Sequence, residues 1–171
     1  YTFQEGRIAL IEMADQLALD LTARRVVTKS VTLGIGYSRR QDLPLPPSGG
    51  TARLPESTNA SSRLTAALLD LYQAEVSPVY PIRRICLTAN DVEPEAVQEI
   101  SLFAPDNGDV RESARQRSIL NIQAKHGKNA LLRGTDYLDA ATRRERNAQI
   151  GGHKAYGNQE TVLPRKNLPA V

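Results

Sequence analysis

Tryptophan is absent, aromatic residues make up 5% of the 171 residues, and there is one cysteine. A single cysteine rules out an internal disulfide. That excludes a secreted scaffold stapled by disulfides and makes a reducing, cytoplasmic setting the expectation. No uninterrupted apolar run exceeds four residues, as at Ala66-Ala67-Leu68-Leu69. A membrane-spanning helix needs about 20, so no membrane partner is expected. Tyr1 is neither an initiator methionine nor the start of a basic-then-apolar leader, and the chain is expected to begin inside a longer protein.

Chemistry-bearing clusters are scarce as well. The two histidines, His126 and His153, have no cysteine or acidic cluster beside them in the sequence, which argues against a metal site. Cys86 has no neighbouring base and reads as a small packing residue. Gly34-Ile35-Gly36 begins a dinucleotide fingerprint but lacks the third glycine and a following helix. Gly151-Gly152-His153-Lys154 has no strand to feed a phosphate loop, and the spacing of Asp136 and Asp139 suits a helix surface better than a two-metal site. No enzyme active site and no cofactor are expected in this chain.

What is present is charge, unevenly spread. Residues 1–88 carry 10 Lys/Arg against 8 Asp/Glu, residues 89–113 carry 1 against 7, and residues 114–171 carry 11 against 4. A mildly basic body is thus joined by an acidic strap to a basic tail. Arginine supplies 17 of the 22 cations, and its planar fork suits bidentate contact with phosphate. The charge leans toward a nucleic-acid partner, with a solvated charged surface as the plain alternative.

Periodicity gives the fold. Leu10, Met13, Ala14, Leu17 and Leu21 recur at helical spacing and predict a helix over 5–25, with Glu12 and Asp15 on its outer face. From Val26 to Arg39 the period drops to two. Val27, Val31, Leu33, Ile35 and Tyr37 take one face, and Thr28, Ser30, Thr32, Gly34, Gly36 and Ser38 the other. That second face is nearly bare, so another backbone can approach it closely. Gln41 to Gly50 reads as a hairpin loop and 51–55 as a second strand. Thr58 or Asn59 is a candidate cap for a helix with Leu64, Ala67, Leu68, Leu71 and Tyr72 buried. Ile82 to Thr88 is a third strand, with Ile85 and Leu87 inward and Arg84, Cys86 and Thr88 outward. The order predicts an α+β fold: a small antiparallel sheet, both helices on one face, the other face open. It also predicts four segments: a body over 1–90, an acidic linker over 91–112, a basic helical tail over 113–155 with helices at 112–126 and 138–150, and a loose end over 156–171. Gly127 is the natural residue just past the first tail helix.

Several strings resemble a known family. They are Asp20-Leu21-Thr22, the run Lys29-Ser30-Val31-Thr32-Leu33-Gly34-Ile35-Gly36-Tyr37-Ser38, and Thr65-Ala66-Ala67. Further on come Leu102-Phe103, Gly127-Lys128-Asn129, Leu131-Leu132-Arg133 and the run from Glu145 through Gly151-Gly152-His153-Lys154-Ala155. In this order they resemble the little-finger domain and tail of Y-family translesion DNA polymerases, of the UmuC-like and UvrX-like branch (DinB/ImpB/MucB/SamB superfamily). The resemblance implies a non-catalytic region that clamps primer-template duplex DNA. The palm, with its acidic motifs and its Mg, would lie elsewhere in the parent polymerase. The family's little finger opens with a strand before its first helix, whereas this chain opens almost in that helix, so an exposed sheet edge is expected.

On that reading Thr28, Ser30, Thr32, Arg53 and Arg84 lie on the DNA side, with Lys29, Arg39, Arg40 and Arg83 at its margins. The resemblance also implies that the string Glu99-Ile100-Ser101-Leu102-Phe103 binds a sliding clamp. An apolar island in an acidic, proline-flanked linker also suits a preformed hydrophobic pocket; the alternative is an extra edge strand. Two other functions stand beside DNA gripping. One is an α+β module whose open sheet and tail recruit a protein. The other is an RNA-binding domain, which would usually display stacking aromatics on its sheet; the open face here has none.

Overall fold

The computed structural model describes residues 1–38, 49–95, 108–150 and 153–154. In chain order the elements are α1 (Phe3–Arg24), β1 (Val26–Tyr37), β2 (Gly49–Thr58), α2 (Ser61–Glu75), β3 (Ile82–Pro94), α3 (Gly108–His126), a 3-10 turn (Gly134–Tyr137), α4 (Arg143–Asn147), β4 (Gln149–Ile150) and β5 (His153–Lys154). The three long strands form one antiparallel sheet in the order β2-β1-β3. Both long helices of the body cover one of its faces, as the periodicities predict.

α1 starts with a capping box. The Glu5 N–H donates to the Thr2 hydroxyl at 3.3 Å, and the Thr2 N–H donates to the Glu5 carboxylate at 2.7 Å. That last bond holds the Glu5 carboxyl below its ordinary range. The buried side of the sheet comes from alternate residues of β1: Val31, Leu33, Ile35 and Tyr37. They pack on Leu10, Ala14, Ala18 and Leu21 of α1 and on Leu64, Leu68 and Tyr72 of α2. Leu17, Leu71, Ile85 and Leu87 complete the core from partly buried positions, while Val27 lies half-buried outside it. The Tyr72 hydroxyl donates to the Phe3 carbonyl at 2.7 Å, and burial pushes its pKa up to about 12. Tyr1 exchanges both main-chain hydrogen bonds with Ile82, at 2.8 and 2.7 Å, the pattern of an antiparallel pair. The start of the β3 edge is therefore covered by the first residue.

The strands run longer than their apolar cores suggest. β2 covers 49–58 and β3 continues to Pro94, four residues into the segment read as a linker. Near Lys29 the sheet is irregular. Five steps along β2, from Arg53 to Thr58, match two along β1, from Ser30 to Thr28, and Asp91 of β3 adopts a left-handed φ of 49°.

The larger correction concerns the outer face of α1. Glu12 and Asp15, expected in solvent, are buried at 0% and 3% exposure. The tail covers them. Glu12 accepts from the Thr142 N–H at 3.0 Å, the Thr142 hydroxyl at 3.1 Å and Arg146 at 3.1 Å. Asp15 accepts the Ser61 hydroxyl proton and pairs with Arg133 at 2.9 Å. Asp136 and Arg143 are both buried and lie 3.6 Å apart. Two acids of α1 therefore meet tail arginines across one seam, beside a third acid–arginine pair within the tail. A buried carboxylate is tolerable only when paired in this way.

The start of α2 depends on the same seam. Neither Thr58 nor Asn59 caps it; the cap residue is Ala60, with no side-chain bond. Instead α3 supplies the acceptors: Glu112 takes the Ser62 N–H at 2.8 Å and Gln116 takes the Ser61 N–H at 3.2 Å. Gln116 also donates to the Thr22 hydroxyl at 2.7 Å and the Asn59 carbonyl at 3.0 Å, and it is 2% exposed. α3 begins at Gly108 and ends with Gly127 at φ 90°, the expected C′ position. The helix expected over 138–150 is reduced to five residues of α4, followed by the small β4–β5 pair.

Gln116→Leu should therefore strand a buried N–H and cost about 1–3 kcal/mol in denaturant unfolding; an unchanged midpoint would show that the seam contributes nothing. Asp15 gives a pH signature. Burial, opposed by the Ser61 bond and Arg133, raises its pKa. The folded state thus holds this proton more tightly than the unfolded state. Stability from this group grows as pH falls through the raised value toward the ordinary Asp value. Asp15→Asn removes that gain, so the variant should lose ground to the unaltered chain on acidification. Unfolding curves at neutral and acid pH for both proteins check the sign.

Candidate nucleic-acid interface

The uncovered face of the sheet is built from the other parity of β1 and its partners. Ser30 pairs with Arg53 and Asn90, Thr32 with Thr51 and Thr88, Gly34 with Gly49 and Cys86, and Gly36 with Arg84. Along the middle of this face β1 carries almost no bulk. A Cβ placed on Gly34 would meet nothing nearer than 3.7 Å, the Cys86 Cβ. The fold therefore does not demand glycine there, and the bareness is available for a partner. Cys86, read as a packing residue, is exposed on this face.

Charge frames the bare strip. Arg53, Arg83 and Arg84 are exposed, and among the described residues none of them has a carboxylate partner. Arg53 stands level with Ser30 and Arg84 with Gly36, which puts them roughly 20 Å apart along the strand direction. Lys29 is exposed but pairs with Glu93 at 2.9 Å. The Ser57 hydroxyl, then Lys29, hold the Glu93 carboxyl below its ordinary range.

Thr28 requires a correction. It is fully buried, and its hydroxyl lies between the carbonyls of Ser30 and Asn90. The irregularity beside Lys29 takes it off the open face. Ser30 is 4% exposed and directs its hydroxyl to Asp91 at 3.3 Å. Thr32 is half-buried, facing Thr51 across β2 with 2.7 Å between their hydroxyl oxygens. Asn90 reaches the Thr32 hydroxyl at 2.8 Å from the other side. Sequence reasoning missed Thr51 and Asn90 as site residues. Thr51 shares parity with Arg53 and could have been found, whereas Asn90 was hidden by reading the strand as ending at Thr88. Arg39 and Arg40 lie outside the described residues, as does the whole string Glu99-Ile100-Ser101-Leu102-Phe103. No group of three His, Cys, Asp or Glu side chains among the described residues converges as a metal site would.

A central strand with one apolar and one bare face, two helices behind it and arginines at its margins now stand together. The family model for the impB/mucB/samB C-terminal domain matches residues 1–102. The chain belongs to this family. It is therefore the C-terminal, little-finger-like domain of the Y-family polymerases, followed by a tail. UvrX of Bacillus subtilis (strain 168), whose name refers to UV-damage repair, is 26% identical over 160 residues, which cover 89% of this chain and 35% of that protein. The chain thus spans about a third of the relative's length. In this member of the impB/mucB/samB family the matched region ends before α3, so the tail's side of the seam lies beyond the family model.

If the bare strip is not a folding requirement, Gly34→Ala should leave thermal stability unchanged or raise it by roughly 0.5 kcal/mol, since glycine is the costlier residue in a strand. A clear loss on thermal unfolding would mean that the open face is packed.

Proposed function

We propose that this chain is the non-catalytic, duplex-gripping region of an error-prone translesion DNA polymerase acting in damage bypass and repair. The observation that carries the reading is the open sheet face. It is bare along Gly34 and Gly36, free of any need for glycine at Gly34, and bordered by Arg53 and Arg84 without acid partners among the described residues. A smooth strip lets hydroxyl donors and the flanking arginines come within reach of phosphates. Such contacts hold a duplex in register without reading its bases. A polymerase that must accept altered templates needs that kind of grip. Family membership and the UV-repair name of the relative support the same reading. Nucleotide transfer, and the Mg it requires, would belong to a palm in the rest of the parent protein.

Primer-template binding over a salt series tests this. Arg84→Ala should weaken binding alike on all sequences and lower the slope of log K against log salt by about one unit. Gly34→Val, which fills the strip with a good strand former, should weaken binding while the protein stays folded. A loss confined to some sequences would argue for base readout. No duplex binding at any salt would favour a sheet that recruits another protein.

A further inference from the structure

The polar row across the open face runs from Asp91 through Ser30, Asn90 and Thr32 to Thr51. Ser30 has one hydroxyl proton and gives it to the Asp91 carboxylate at 3.3 Å. Its oxygen can then only accept from Asn90, 3.5 Å away, so Asn90 turns its amide nitrogen toward β1. The same nitrogen donates to the Thr32 hydroxyl at 2.8 Å. Thr32 is thereby an acceptor on the β3 side, and its own proton is free to go to the Thr51 hydroxyl, 2.7 Å away on β2, where either oxygen can donate. In the arrangement in which Thr32 donates, Thr51 accepts and keeps its own proton free. It is exposed, on the outer strand, two residues from the exposed Arg53 on the same face.

We propose that Thr51 and Arg53 form the seat for one phosphodiester of the bound duplex, and that Asn90 is a positioning residue that turns the Thr51 proton toward it. The proposal rests on the duplex-gripping function and names the donors within it. A hydroxyl whose acceptor side is already satisfied presents its proton to an anion without first losing an internal bond, and hydrogen bonds in a row polarise one another in the same sense. Arg53 adds the charge that Thr51 lacks. The row is a cross-strand feature, with β3 setting the direction, β1 relaying it and β2 presenting the donor.

The test is binding of the 171-residue chain to fluorescent primer-template duplex, read by anisotropy, with thermal unfolding recorded for each variant. Thr51→Val and Asn90→Val should each weaken binding about fivefold, the scale of one typical net hydrogen bond. The double variant should be no weaker than either single one. Thr51→Val should leave the salt slope unchanged, because it removes no cation, whereas Arg84→Ala lowers it. Losses that add in the double variant overturn the relay. Wild-type binding by Thr51→Val beside weakened binding by Arg84→Ala overturns the seat and leaves the gripping function standing. Absence of duplex binding by the unaltered chain overturns both. Thr51→Val is isosteric and on an exposed strand, so it reads the seat even if Asn90→Val disturbs β3.

Discussion

The architecture depends on the register of β1. This strand has neighbours on both sides, and its side chains alternate between Val31, Leu33, Ile35 and Tyr37 on one face and Thr32, Gly34 and Gly36 on the other. A slip of one residue would put glycine against α1 and α2 and leucine in solvent. The apolar face alone would fix the register. The bare face gives that register a use, because the same alternation that builds the core leaves a strip with no side chain in the way. Fold and candidate function are thus two readings of one strand.

A second layer holds the helices behind that strand. α1 and α2 are not finished on their outer sides by their own sequences. Glu12, Asp15 and the first N–H groups of α2 all need partners, and these come from α3, Arg133 and α4, from 50 to 134 residues away. Trans-capping of this kind couples the tail to the body, since removing the tail would leave buried carboxylates and buried donors exposed to each other or to water. Seams of paired charge add little net stability compared with apolar packing, but breaking one partner is costly. The tail is thus better described as a clasp over the helical layer than as an appendage.

How much of this could be read from the sequence follows from the range of the interactions involved. α1, α2 and β1 were legible because their apolar periodicities are local and strong. The uncovered side of the sheet was legible for the same reason. Glu12 and Asp15 were misplaced because a charged residue on a helix reads as solvent-facing unless its charged partner is known, and that arginine lies more than a hundred residues on for each of them. The cap of α2 was sought at Thr58 and Asn59, where local rules put it, but Asn59 is occupied with the Val26 carbonyl and α3 does the capping. Thr28 was placed on the open face by strict alternation, which the extra residues of β2 interrupt. Within the candidate site, Arg53, Arg84 and Thr32 were found by parity, and Asn90 was lost with the end of its strand.

Charge shows the same contrast between local and distant information. The sequence places its strongest positive balance after residue 113, which would point a nucleic-acid partner at the tail. In the structure most of those arginines are engaged: Arg115 with Glu112, Arg117 with Glu95, Arg133 with Asp15, Arg143 with Asp136 and Arg146 with Glu12. A guanidinium already facing a carboxylate offers a phosphate little field, because the pair is close to neutral at a distance. The body has a smaller net charge, yet Arg53, Arg83 and Arg84 stand without such partners among the described residues. The nearly balanced half of the chain therefore also carries positive charge that no carboxylate among the described residues neutralises. Arg53 and Arg84 place part of it beside the bare face of the sheet, where Glu93 is already held by Lys29.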